Sequence, residues 1–258
     1  MNIKSITLLL LTLMILSCGT NQKQENSTSP TSQSQNNEIL SLKDASGISF
    51  CKKSQTLMVV SDKGNLYEIT QAGKVLSSYQ IGEYDFEGVV CEEKQLMLAI
   101  EGEGLLRFNR ETNESKFLSL EGIDFKLSKK HGIEGITKIN QFYYLAIQSK
   151  KKQHHSKLLI VSIDEGTATV VRVIKEKITD SSGLEYHNHK LYILSDKKDT
   201  LYSYDLNEGK ILASLKLPKF AQEGVTFGED NKIFFANDKG SIFRYTFRDD
   251  ENQNMLLE

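Results

Sequence analysis

One short string recurs five times and limits the possible folds more than any other feature. It reads "DASGISF" at 44–50, "DFEGVV" at 85–90, "GIEGIT" at 132–137, "DSSGLEY" at 180–186 and "AQEGVTF" at 221–227. Aligned on Gly47, Gly88, Gly135, Gly183 and Gly224, the copies stand 41, 47, 48 and 41 residues apart. Periods in this range belong to propeller blades or to helical solenoids. The stretches between the glycines decide which. Each glycine opens a short apolar run, and a polar turn leads to a second: "TLMVVSD" (56–62), "QLMLAIE" (95–101), "FYYLAIQ" (142–148), "LYILSD" (191–196) and "IFFAND" (233–238). Third runs such as "NLYEIT" (65–70) and "LYSYD" (201–205) alternate, and fourth runs such as "KVLSSYQI" (74–81) and "KILASLKL" (210–217) follow a further turn. The period is nearer two than 3.6, and no stretch of about 12 residues reads as a helix.

Four antiparallel strands repeated five times predict an all-β, five-bladed β-propeller, with six blades as the alternative. The fifth copy lacks a fourth strand after "IFRYTF", while "EILSLK" (38–43) stands unassigned ahead of the first copy. It is expected to be the outer strand of the fifth blade, closing the ring and removing an open edge. The repeated string then begins the innermost strand of each blade, where glycine lets neighbouring backbones approach.

Neighbouring strands in a blade are antiparallel, so the start of strand one and the end of strand two share an edge. The residue before each glycine is Ser46, Glu87, Glu134, Ser182 or Glu223, and the second strands end on Asp62, Glu101, Gln148, Asp196 and Asp238. Seven acids among ten positions are predicted to ring a channel mouth. Lys63, Lys150, Lys151, Lys152, Lys197, Lys198 and Lys239, with His154 and His155, form a basic rim beyond them. On the structural reading the acids accept hydrogen bonds from loop amides or pair with the rim lysines. On the functional reading the clustered oxygens bind a hard cation such as Ca²⁺. Glu87, Glu134 and Glu223 are then its candidate ligands, and the flanking lysines receive a small anion. His131, three residues before Glu134, is a weaker candidate for an acid–base partner, and "HNH" (187–189) reads as a solvated turn on the opposite face.

The chain has no G-x-S-x-G, phosphate-binding loop, H-E-x-x-H, C-x-x-C or EF-hand loop, so no catalytic residue is assigned. Thirty-two basic and 34 acidic side chains, with no basic stripe, exclude nucleic acid as an expected partner. The preferred function is therefore a non-catalytic module binding a small ligand, a cation or an envelope protein. The alternative is a metal-dependent hydrolase of phosphate esters on the same face.

Residues 1–17, "MNIKSITLLLLTLMILS", read as an export signal that stops at Cys18. Ile15-Leu16-Ser17-Cys18 resembles a lipobox, which makes Cys18 the expected site of diacylglycerol attachment. Residues 18–37 then read as a flexible polar tether, 38–248 as the propeller and 249–258 as a tail. This places the propeller in a bacterial cell envelope, outside the cytoplasm, anchored to the outer or plasma membrane. Cys51 and Cys91 read as two buried free thiols in preference to a disulfide.

The recurring x-[SE]-G-[ILV] strings, second strands ending "VSD" or "IE" and third strands such as "LYEI" resemble the SdiA-regulated (YjiK-like) β-propeller family. "DASGISFCKKSQTLMVVSDKGNLYEITQAGKVLSSYQI" carries the resemblance best, and it spans about residues 40–246. The resemblance implies a cell-envelope propeller, with some members associated with calcium. It also implies a distant likeness to phytase-like propellers, whose Asp-rich strings are absent here.

Overall fold

The computed structural model describes residues 35–149, 156–164, 166–246 and 255. The readings of the export signal, Cys18, most of the tether, Lys150, Lys151, Lys152, His154, His155 and most of the tail lie outside those residues.

Twenty strands account for almost all of the regular structure among the described residues. Strand β1 (Gln35–Ser41) is followed by β2 (Ala45–Cys51), β3 (Thr56–Ser61), β4 (Asn65–Thr70) and β5 (Val75–Gln80). The next four are β6 (Phe86–Glu92), β7 (Gln95–Ile100), β8 (Gly104–Asn109) and β9 (Ser115–Glu121). Then come β10 (Ile133–Ile139), β11 (Phe142–Ile147), β12 (Lys157–Asp164) and β13 (Thr167–Ile174). After these run β14 (Ser181–His187), β15 (Lys190–Ser195), β16 (Thr200–Asp205) and β17 (Lys210–Lys216). The chain closes on β18 (Gln222–Phe227), β19 (Ile233–Asn237) and β20 (Ser241–Thr246).

Consecutive strands pair antiparallel in fours. Sheets β2–β5 and β14–β17 stand alone, and β6–β9 and β10–β13 merge through a short parallel contact between β13 and β9. The fifth group has the order β1-β20-β19-β18, so the N-terminal strand pairs with "IFRYT" as expected. Pairing begins at Gln35, three residues before the expected strand and inside the stretch read as tether. A ladder needs only backbone groups, so a polar sequence can extend it. Twenty strands grouped in this way suggest five blades.

Second strands are the most buried. Every residue of "TLMVVS" is buried, as suits a strand covered on both faces. Apolar clusters lie between successive sheets: Leu57, Val59, Phe234 and Ile242 join the first and last groups, and Met58, Leu66, Phe86 and Leu98 join the first and second. Met255 is buried beside Tyr192, whose hydroxyl donates to the Met255 carbonyl at 2.9 Å. The outer strands expose apolar residues, among them Leu76, Val171 and Leu212.

The five glycines of the repeat form a closed circle. A methyl carbon on Gly47 would lie 2.6 Å from Gly88 Cα, on Gly88 3.4 Å from Gly135 Cα, and on Gly135 2.9 Å from Gly183 Cα. The corresponding distances are 3.4 Å from Gly183 to Gly224 Cα and 3.1 Å from Gly224 to Gly47 Cα. Gly88 and Gly183 are also closed off by Ile136 Cγ2 at 2.9 Å and the Glu223 carbonyl at 2.8 Å, so a Cβ atom at any of the five would crowd its neighbours, which is why each string carries glycine. The space left at the axis is about 10 Å³, no more than one water needs. The expected channel is therefore pinched shut, and its two mouths are separate basins.

The free-thiol reading of the cysteines is overturned. Cys51 and Cys91 form a disulfide between β2 and β6, with Cα atoms 5.3 Å apart. Forty residues separate them in sequence. The close approach of the innermost strands brings them together on the face away from the acids.

Candidate functional site

The residue before each glycine reaches its mouth through a backbone irregularity that the sequence does not reveal. In all five groups the pairing of the first and second strands shifts register at this residue: between Ala45 and Gly47, Phe86 and Gly88, Ile133 and Gly135, Ser181 and Gly183, and Gln222 and Gly224. Ser46, Glu87, Glu134, Ser182 and Glu223 are thus bulged residues, left out of the ladder. A bulge re-aims its side chain. Four of the five strand entries are clipped to the end of the second strand. The backbone N–H groups of Asp62, Glu101, Gln148 and Asp238 donate to the carbonyls of Asp44, Asp85, Gly132 and Ala221, each three residues before a ring glycine.

The alternation of Ser and Glu has a structural basis. Ser46 donates its hydroxyl to the Phe86 carbonyl of the next group. Ser182 donates to the Gln222 carbonyl of the next group at 2.7 Å. These two serines tie groups together, while the other three groups place a carboxyl at this position.

The seven predicted acids do not form one symmetric ring. Among the described residues, three carboxylates come within 4.8 Å of one another in two places: Asp85, Glu87 and Glu101, and Asp44, Asp62 and Asp238. Asp44 and Asp85 were absent from the sequence-based set. Both sit three residues before a ring glycine, a position whose side chain the repeat gave no reason to single out. Glu87, Glu134 and Glu223, expected to share one cation, are not gathered as such a trio. Glu134 instead accepts from the Gln148 side-chain amide.

Lysines neutralise only part of this charge. Lys129 contacts Asp85 at 2.5 Å and approaches Glu101 at 4.0 Å, and Lys63 lies 3.6 Å from Asp62. Burial, with Glu134 and Glu223 nearby, holds the Glu87 carboxyl well above the usual carboxylate range. Burial, reinforced by Glu134 and Asp196, pushes Glu223 up to about 9. Glu101, Asp62 and Asp196 are raised as well, each mainly by burial. Among the described residues, two buried acceptor oxygens at this mouth, Asp62 Oδ1 and Gln148 Oε1, have no donor. His131 is exposed on a turn with Ser128.

The opposite mouth was not anticipated. Two residues after the ring glycines stand Ser49, Val90, Thr137, Glu185 and Thr226. Ser49 Oγ accepts the Cys91 N–H at 3.2 Å, Thr137 Oγ1 the Tyr186 N–H at 3.1 Å, and Thr226 Oγ1 the Phe50 N–H at 3.0 Å. Glu185 accepts the Phe227 N–H and, at 3.2 Å, the Thr226 hydroxyl. Each is the same latch: a side chain two residues after one glycine holds the N–H three residues after the next. Val90 offers no acceptor, and the junction it faces is joined instead by the ion pair of Lys138 with Glu92. A pocket of about 860 Å³ opens here, walled by Phe50, Val90, Tyr186 and the disulfide. "HNH" is also corrected in part: Asn188 and His189 form the exposed turn, but the His187 ring stacks on Phe227 at 4.3 Å. The sequence signal for this mouth is the run of hydroxyl residues two places after glycine.

Among solved structures, the chain is similar to the glutaminyl cyclase of Myxococcus xanthus, with 13% identity and a TM-score of 0.62 over 82% of this chain and 94% of that one. At that identity the likeness speaks for the fold alone, an all-β, propeller-like arrangement of antiparallel four-stranded sheets. No curated protein matches the chain. The model of one family, described as SdiA-regulated, matches residues 31–248. That match spans most of the chain and the whole array of sheets, and the protein belongs to the SdiA-regulated family.

Proposed function

We propose that the protein is a five-bladed β-propeller, held in a bacterial cell envelope by lipid on Cys18, that acts as a non-catalytic binding module through its acidic mouth. The closed circle of five glycines and the return of β1 onto β20 support the blade count. The bound species is a hard divalent cation such as Ca²⁺, alone or as the bridge to a small anion or an envelope protein.

The observation that carries this reading is the pair of buried oxygens at the mouth, Asp62 Oδ1 and Gln148 Oε1, that meet no donor among the described residues, beside carboxyls that burial has left without sufficient countercharge. Buried acceptors cost free energy when unmet. Oxygen-rich sites of carboxylates and amide carbonyls suit calcium. Asp85, Glu87 and Glu101 are the residues to hold the cation, with Glu134 and Glu223 as adjoining carboxyls.

A thermal melt with millimolar Ca²⁺ and with a chelator tests the cation. A ligand binding only the folded state adds about 2.7 kcal/mol at a hundredfold excess over Kd. Glu87→Gln is expected to remove most of that gain and leave the cation-free protein as stable or more so, because repulsion among carboxyls is relieved. No calcium response in the unmutated protein ends the cation reading. Mass spectrometry of the mature N-terminus tests the anchor: an unmodified Cys18 in a processed chain overturns it.

A further inference from the structure

We propose that the pocket on the disulfide side is a second binding site, built for a small organic oxyanion: a carboxylate or phosphate ester on an apolar body. Its volume of about 860 Å³ lies in the range of small-molecule sites. The closed glycine ring separates it from the acidic mouth, so the two sites are independent.

The lining has the chemistry for such a ligand. Four cations, Lys52, Lys53, Arg110 and Lys138, face three carboxyls, Glu92, Glu93 and Glu185. Arg110 is held by Glu68 at 2.7 Å, Lys138 pairs with Glu92, and Lys53 lies 3.6 Å from Glu93. Lys52 has no carboxylate within 4.0 Å among the described residues, which leaves its ammonium for a ligand. Ser49 and Thr137 use their oxygens as acceptors in the latches, so their hydroxyl protons remain to be donated. Phe50, Val90, Tyr186 and the disulfide provide apolar wall.

Glu185 fits this arrangement and is hard to explain otherwise. Serine or threonine performs the same latch in three of the other groups, so a carboxyl exceeds what the latch requires. Its oxygens already accept from Thr226 and Phe227. Burial pushes it up to about 8, so near neutral pH it keeps a proton, donates, and does not repel an anion. The charged or titratable groups around it are Lys52 from the turn after β2, Lys138 from β10, Glu92 from β6, and Tyr186 and His187 on its own strand, with the Thr226 hydroxyl on β18.

The test uses the full chain in detergent with a chelator present. Benzoate, phenyl phosphate, inorganic phosphate and benzylamine are titrated, with sodium chloride at equal ionic strength as the control. Benzoate or phenyl phosphate is expected to raise the melting temperature saturably beyond the salt control, and the two arms show which oxyanion is preferred. Benzylamine is expected to do nothing. Lys52→Ala should weaken binding at least tenfold. In the unmutated protein binding should weaken as pH rises through 8, because Glu185 then becomes an anion. Glu185→Gln should flatten that profile, since an amide keeps an acceptor for the latch and still donates. If Glu185→Gln does not fold, the pH series and Lys52→Ala decide alone. The proposal is overturned if no organic anion exceeds the salt control, if benzylamine alone binds, or if anion binding is indifferent to both Lys52→Ala and pH.

Discussion

The two mouths of the glycine ring are three residues apart on the same five strands, yet they are built on opposite principles. One residue before the glycine, a bulge lifts the side chain out of the ladder and points it at the axis. Two residues after it, the strand is regular and the side chain reaches the backbone of the next group. The first position gathers carboxyls that strain against one another, while Ser46 and Ser182 tie neighbours there. The second position spends nearly every side chain on holding the ring together. Charge that destabilises is collected where the backbone is irregular, and cohesion is supplied where it is regular. A mouth rich in unmet oxygens is affordable in stability because the opposite one is latched and cross-linked.

The largest effect is expected at the waist that both mouths share. Gly135→Val places a side chain 2.9 Å from Gly183 Cα and 3.0 Å from Leu184 N, so backbone must move. Overpacking of this kind should cost about 3 kcal/mol, the upper end of the usual range, because the contacts are backbone. A denaturant melt showing less than about 1 kcal/mol would mean that the ring tolerates opening and that the mouths are not independent.

Next comes the cross-link. Cys51→Ser with Cys91→Ser should cost about 2–4 kcal/mol and leave any calcium response unchanged, because the disulfide lies on the other side of the waist. A lost calcium response would couple the two mouths and defeat the comparison.

Glu223→Gln probes the carboxyl side. The folded-state value of about 9 lies above that of the unfolded chain, so the native protein holds a proton that the unfolded chain has released. Stability attributable to this group therefore falls as pH rises from about 4.5 to about 9. Glu223→Gln should match the unmutated protein near pH 4.5 and melt several degrees higher at pH 8.5, where each kcal/mol is about 2–4 °C. Equal melting at both pH values would put that carboxyl in water.

The smallest effects compare one latch with its missing counterpart. Thr137→Val leaves the Tyr186 N–H unmet and should cost about 1–3 kcal/mol. Val90→Thr supplies the hydroxyl that the second group lacks, and should be neutral or stabilising by up to about 1 kcal/mol. Equivalent outcomes for the two substitutions would refute the latch as a repeated device.

Much of the fold was legible because its signals are local. Alternation in "NLYEIT" depends on residues two apart, and continuous apolar runs such as "TLMVVS" mark strands buried on both faces. The missing fourth strand after "IFRYTF" was visible by counting, and so was its replacement by the N-terminal segment. The site was legible only in part. Glu87 and Glu101 were found because each recurs in a repeat position, but Asp44 and Asp85 complete the trios from a position that carried no functional signal. Glu185 was passed over because a glutamate inside "SGLEY" reads as an ordinary outward strand residue.

By itself, then, the sequence determined the strand repeat, the glycine at each innermost strand and the concentration of acids at one edge. All three follow from chain-local periodicity and from the small volume that glycine alone can offer. Tertiary structure decided the rest: the bulges, the division of the acids into two trios, the latches, the closed waist and the bond between Cys51 and Cys91. The latches, the closed waist and the bond between the cysteines depend on which backbones meet around the axis. Residues 40 or more positions apart become neighbours only when the ring closes, and no local pattern encodes that distance.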